Sequence, residues 1–115
     1  MGNITIYHNP RCSKSRATMA LLEERNVEPE VVLYLEQPPT SDQLRDLLAR
    51  LGLSARELMR TKETLYGDLG LADVTSEEAL IEAMATHPQL IERPIVDNGE
   101  RAALGRPPEN VLELL

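Results

Sequence analysis

Asn3-Ile4-Thr5-Ile6-Tyr7-His8-Asn9-Pro10-Arg11-Cys12-Ser13-Lys14-Ser15-Arg16 decides how this chain folds. Residues 3–7 alternate polar and apolar and are rich in β-branched side chains, which predicts a strand. Pro10 redirects the chain, and a helical pattern runs from about Ser13 to Asn26. In it Ala17, Ala20 and Leu21 share a face with the adjoining Met19 and Leu22, and Asn26 supplies a stop. Glu30-Val31-Val32-Leu33-Tyr34-Leu35 is apolar almost throughout, as expected of a buried parallel strand. Strand, helix and strand within about 35 residues make a βαβ unit with a right-handed crossover.

Beyond Gln37-Pro38-Pro39 the pattern turns helical. Thr40 with Gln43, Ser54 with Glu57 and Thr75 with Glu78 are three capping-box spacings. They predict a helix to Gly52 with Leu44, Leu47, Leu48 and Leu51 inward, and a short helix to about Met59 or Arg60. The third helix buries Ala79, Leu80, Ala83 and Met84 and ends at His87-Pro88. Thr61 to Ala72 reads as a loop. Asn98-Gly99, between two short runs, favours a type I′ hairpin. Pro107-Pro108 suits the first turn of a closing helix with Val111, Leu112 and Leu115 inward. The order is β-α-β, a helical insert, then β-β-α. This is an α/β plan of the thioredoxin-like kind, with a four-stranded mixed sheet in one domain over 1–115 and the insert at about 40–90.

The 115 residues suffice for a core without disulfide or metal staples. With no Trp or Phe, that core is aliphatic. A net charge of −7 argues against nucleic acid or an anionic membrane as partner. No run approaches a membrane span, and the first residues lack the regions of a signal peptide. The one cysteine excludes an internal disulfide, and a reducing cytoplasm is the simple expectation. One Cys and two distant His do not make a metal-ligand set, so no metal is expected. No Gly-rich phosphate loop or dinucleotide fingerprint is present, and no bound cofactor is expected.

The charge distribution points to chemistry at the first turn. Arg11, Lys14 and Arg16 flank Cys12, and no carboxylate occurs before Glu23. Helix-start N–H groups and nearby cations lower a thiol pKa from about 8.5 into the range of roughly 3.5–7.5, giving the nucleophilic thiolate at neutral pH. Cations at a helix N-terminus oppose the macrodipole, so three there suggest that an anion completes the site. An inert buried thiol is the alternative. Ser15 stands where a C-x-x-C motif has its resolving thiol. Any covalent state of Cys12 therefore needs a thiol from outside, such as glutathione or a glutaredoxin-type partner. Ser13 and Ser15 can donate to a thiolate or oxyanion, although Ser13 serves equally well as a helix cap. His8 lies near enough to tune Cys12, but the residues alone favour a strand-end histidine satisfied by backbone.

Residues 8–16, Leu33-Tyr34-Leu35-Glu36, Pro38-Pro39, Leu58-Met59-Arg60, Leu69-Gly70-Leu71, His87-Pro88, Arg93-Pro94-Ile95-Val96 and Gly105-Arg106-Pro107 together resemble the glutaredoxin-coupled arsenate reductases. The resemblance runs in order from residue 3 to about residue 113. It implies a thioredoxin-like fold with a helical insert and makes Cys12 the nucleophile toward arsenate. It makes Arg60, Arg93 and Arg106 the ligands of the oxyanion, a role that suits the guanidinium fork. From the sequence alone, Arg60 is better read as a solvated residue after a short helix. His8, Ser15 and Arg16 match the surroundings of the family cysteine. Pro94 matches a cis proline facing it, with Arg93 held extended before it. The implied reaction is reduction of arsenate to arsenite through a Cys12 adduct, with glutathione as co-substrate and glutaredoxin regenerating the thiol. Two other readings are a glutathione-linked thiol-disulfide oxidoreductase and an Spx-type regulator of RNA polymerase. The regulators commonly carry a C-x-x-C switch, which Ser15 lacks.

Overall fold

The computed structural model describes residues 3–115. The chain divides into two compact units, one formed by the chain up to Gln37 together with Arg93–Leu115, the other by Pro38–Glu92.

The first unit holds the sheet. Strands β1 (Thr5–Tyr7), β2 (Glu30–Val32), β3 (Ile95–Asp97) and β4 (Ala102–Leu104) lie in the order β2-β1-β3-β4. β1 pairs in parallel with β2, and antiparallel pairs join β1 to β3 and β3 to β4. This is the four-stranded mixed sheet of the thioredoxin-like plan. Helix α1 (Ser13–Glu24) links β1 to β2. It ends as a Schellman turn: Asn26 takes φ +60, its N–H donates to the Glu23 carbonyl, and the Val27 N–H reaches back to the Leu22 carbonyl at 2.9 Å. Val27 also packs on the core of Ile6, Leu22, Val96, Ala103, Val111 and Leu114, so the turn residue and the packing agree.

Several expectations for this unit need correction. β2 stops at Val32 and is an edge strand, and Leu33–Leu35 is not strand. Val31 in this edge strand stays 42% exposed, and Leu35, in the turn beyond it, 44%. The buried stripe of α1 is Ser15, Thr18 and Leu22, while Ala17 and Ala20 face solvent. The hairpin is not type I′, which needs positive φ at both central residues. Only Gly99 has it, at +94, and four residues, 98–101, join the strands. Asn98 organises them, its Oδ1 accepting from the N–H groups of Glu100 and Arg101 at 2.9 and 2.8 Å. The closing segment Pro108–Leu114 is a 3₁₀ helix that buries Val111 and Leu114, with Leu115 exposed.

In the second unit, α2 (Ser41–Leu51) and α3 (Ala55–Leu58) pack on α5 (Glu77–Thr86). The capping boxes at Thr40 and Ser54 form reciprocally, and Gly52 closes α2 at φ +69. Thr40→Ala removes the acceptor of the Gln43 N–H and is expected to cost about 1 kcal/mol. Urea titration reads this as a lower midpoint at unchanged slope. The third box does not form. Ser76 caps α5, accepting from Ala79, because Glu78 is held by both oxygens on Arg45 of α2. The buried face of α5 is Leu80, Ile81 and Met84, with Ala79 exposed. The stretch read as a loop contains α4 (Thr64–Asp68) and a 3₁₀ turn, Leu71–Asp73. Arg56 pins this region, donating to the Tyr66 hydroxyl and to the carbonyls of Leu71 and Val74. Among the described residues no helix is long and apolar enough to cross a membrane.

Candidate active site

β1 delivers the chain into the turn His8–Arg11, and Cys12 is the N-cap of α1 with extended backbone (φ −94, ψ 125). The turn is tied down at each step. The Cys12 N–H donates to the Asn9 carbonyl, and the Arg11 N–H to Asn9 Oδ1, both at 3.0 Å. Ser15 Oγ accepts from the Asn9 N–H at 3.0 Å and lies 2.7 Å from His8 Nδ1. Arg16 Nη1 donates to the Pro10 carbonyl at 3.0 Å. These bonds hold the thiol in place before any ligand arrives. Cys12 itself is only 8% exposed.

Burial pushes the Cys12 thiol up. The Ser15 backbone N–H, the Arg93 charge, the Lys14 N–H and the Arg106 charge together outweigh burial, and the thiol sits below its ordinary value. The sulfur accepts no capping bond of normal geometry, so the two N–H groups act as dipoles aimed at developing charge. Because the thiol is lowered in the folded state, its ionisation favours folding. That contribution is complete above the unfolded thiol's pKa and is lost as the pH falls through the folded one.

Arg93 and Arg106 meet at this turn. The Arg93–Pro94 peptide is cis, as is Arg106–Pro107. Arg106 Nε donates to the Arg93 carbonyl at 2.8 Å, and its Nη2 lies 3.9 Å from Cys12 Sγ. The Asn110 amide holds the Arg106 carbonyl at 3.0 Å. Arg60 stands in the second unit, with its N–H on the Leu90 carbonyl. Its guanidinium is no solvated appendage, since it pairs with Glu63 at 3.0 Å and Glu92 at 3.8 Å.

The supporting residues take different parts from those their side chains suggested. The Ser15 hydroxyl serves His8 and Asn9, and it is the Ser15 backbone N–H that acts on the thiol. Burial lowers His8, and its Nδ1 shares a 2.7 Å hydrogen bond with the Ser15 hydroxyl, whose oxygen also accepts from the Asn9 N–H. Arg16 braces the Pro10 carbonyl.

Gly105 was not singled out by the sequence. Its N–H donates to the Pro94 carbonyl at 2.9 Å, and a Cβ there would lie 2.8 Å from Pro94 Cγ and overlap Thr18 Oγ1. A glycine ending a strand before a functional arginine is the signal that could have found it. Among the described residues no three His, Cys, Asp or Glu are grouped to hold a metal ion. The turn is therefore an activated thiol with two guanidinium groups beside it, suited to attack on, or covalent capture of, a small oxyanion.

The ArsC family profile matches residues 7–114, a span that takes in every residue of this turn from His8 onward and both arginines. The chain belongs to the ArsC family. It is 63% identical to the uncharacterized protein YfgD of Escherichia coli K12 across 97% of this chain and 96% of that protein. It is 52% identical, over the full length of both chains, to an arsenate reductase of Neisseria meningitidis serogroup A. A solved structure described as an arsenate reductase from Vibrio cholerae superposes with a TM-score of 0.96 at 52% identity, covering 99% of this chain and 98% of that one. ArsC membership accords with the arrangement at the turn, a thiol with arginines gathered around it from distant parts of the sequence.

Proposed function

We propose that this protein reduces arsenate to arsenite through a covalent adduct on Cys12, with glutathione as co-substrate and a glutaredoxin as the protein that regenerates the thiol. The observation that carries the proposal is the Cys12 thiol, lowered at the start of α1 with Arg106 3.9 Å away, in a chain that has no second cysteine. The family's named arsenate reductases support the choice of oxyanion.

In this reaction the Cys12 thiolate attacks arsenic and an arsenate oxygen leaves as water. Arg93 and Arg106 neutralise the charge of the bound oxyanion, and the family resemblance adds Arg60 as a third ligand. The glutathione thiolate then attacks the Cys12 sulfur. The electron pair of the broken S–As bond passes to arsenic, which leaves as arsenite. The resulting Cys12–glutathione disulfide is reduced by glutaredoxin through thiol–disulfide exchange. Purified protein with arsenate, glutathione and glutaredoxin is expected to release arsenite. Absence of arsenite overturns the proposal.

The state of the thiol is measurable by itself. Alkylation by iodoacetamide is expected to reach its plateau well below the pH that an unperturbed cysteine, with a pKa of about 8.5, requires. Arsenate or sulfate is expected to slow it. A midpoint at or above the ordinary value would remove the activated nucleophile from the scheme.

A further inference from the structure

Beside the Cys12 turn lies a cavity of about 260 Å³ lined by His8, Asn9, Pro10, Arg11, Leu33, Leu35 and Glu36. It is unsuited to the oxyanion. Its walls include Pro10, Leu33 and Leu35, and the Glu36 carboxylate would repel a multiply charged anion. It carries one charge of each sign, on Arg11 and Glu36, and neither side chain has an ion-pair partner among the described residues. Leu35, 44% exposed, lies in a short turn closed by the Glu36 and Gln37 N–H groups on the Leu33 carbonyl, both at 2.9 Å. The His8 ring spends one nitrogen on Ser15 and has no further hydrogen bond among the described residues. Arg11, the residue before Cys12 in the chain, lines it, so the cavity adjoins the turn that carries the thiol.

We infer that this cavity binds glutathione, a small peptide thiol with carboxylates and an ammonium group, as the co-substrate of the reaction proposed above, on which the assignment rests. Arg11 takes a carboxylate and Glu36 the ammonium, while Leu33, Leu35 and Pro10 cover the methylene stems. This is charge complementarity of mixed sign, and it separates the co-substrate's place from that of arsenate, where the charges acting on the thiol are those of the Arg93 and Arg106 guanidinium groups.

The probe is S-methylglutathione, which has the charges of the co-substrate and no reactive thiol. Titrated into the ¹⁵N-labelled full chain, it is expected to shift the amide signals of Asn9, Arg11 and Leu33–Glu36. S-methylcysteine, which lacks the flanking peptide groups, is expected to leave them in place. Glu36→Lys and Leu35→Asp alter exposed side chains and are each expected to weaken binding about tenfold. In the arsenate assay they raise the KM for glutathione by the same factor and leave the KM for arsenate unchanged. No shift with S-methylglutathione, shifts confined elsewhere, equal shifts with S-methylcysteine, or undiminished binding in both variants would each overturn the assignment. Shifts with glutaredoxin alone would do the same and make this a protein-docking surface. Arsenite production without shifts here would leave the reaction standing and remove this binding site. Shifts here without arsenite production would do the reverse.

Discussion

Cys12→Ser protein releases no arsenite when given arsenate, glutathione and glutaredoxin, a loss of roughly 10⁴-fold or more against the parent. The reason lies in what surrounds the sulfur. The Lys14 and Ser15 N–H groups and the charges of Arg93 and Arg106 are set to stabilise an anion at that position. A serine hydroxyl stays protonated at neutral pH, so the same surroundings have nothing to activate. The fold gives no other reason for the loss. The turn is tied through Asn9, Ser15 and Arg16, and the cysteine sulfur accepts no normal capping bond. Serine is moreover a favoured N-cap residue. The variant is therefore expected to unfold at the same urea concentration as the parent or slightly higher. Arsenite production at the parent's rate would overturn the role of Cys12. Inactivity together with unfolding at low urea would trace the loss to the fold instead, and Cys12→Ala, with no cap of either kind, tells these two causes apart.

Gly105→Ala is expected to be the most damaging single methyl group in the first unit. The added Cβ would lie 2.8 Å from Pro94 Cγ and overlap the Oγ1 of Thr18, a residue with no exposed surface. Neither neighbour is the free end of a flexible side chain. Pro94 is a closed ring, and Thr18 Oγ1 is bonded to the Lys14 carbonyl at 2.9 Å. Overpacking of this kind costs about 1–3 kcal/mol. For a domain of this size that lowers the unfolding temperature by about 4 °C or more. The strand end can relieve the overlap only by backing away, and Arg106 is the next residue. Its guanidinium then leaves the thiol, and the alkylation midpoint of Cys12 moves up in pH. The KM for arsenate rises about tenfold, the worth of one charge-assisted hydrogen bond. Gly67→Ala is the control. A Cβ there meets nothing within 4 Å, and the position lies in α4, where alanine is the better helix former. A lowered unfolding temperature with an unmoved alkylation midpoint would leave Gly105 a packing residue and no more.

How far these sites could be read from sequence differs from residue to residue. The strand-to-helix switch around Cys12 and the stop at Asn26 were legible because they depend on neighbours in the chain: alternation, a proline and an αL-tolerant residue. The capping boxes at Thr40 and Ser54 were legible for the same reason. The third failed because Glu78 had a competing partner, Arg45, 33 positions away, and no local rule carries that information. The edge position of β2 was hidden likewise. An apolar run looks the same whether it has one neighbouring strand or two, and only the order β2-β1-β3-β4 leaves Val31 exposed. At the site, the residue types were readable and their atoms were not. The sequence points to the Ser15 hydroxyl, yet that hydroxyl serves His8, and the backbone N–H acts on the sulfur. The family resemblance points to Arg93 and Arg106; the 2.8 Å bond between Arg106 Nε and the Arg93 carbonyl is a fact of three dimensions.

The serine at position 15 also shapes how the protein ages in an oxidising cell. Thiolates are the cysteines that peroxide oxidises first, and the usual protection is condensation of the sulfenic acid with a neighbouring thiol. Cys12 has no such neighbour in this chain. Once oxidised, it either meets a diffusing thiol or advances to sulfinic acid, which ordinary thiols cannot reduce. Slight exposure, 8%, slows the first step without supplying a rescue. The lifetime of the protein under oxidative stress is therefore set by the surrounding pool of small thiols.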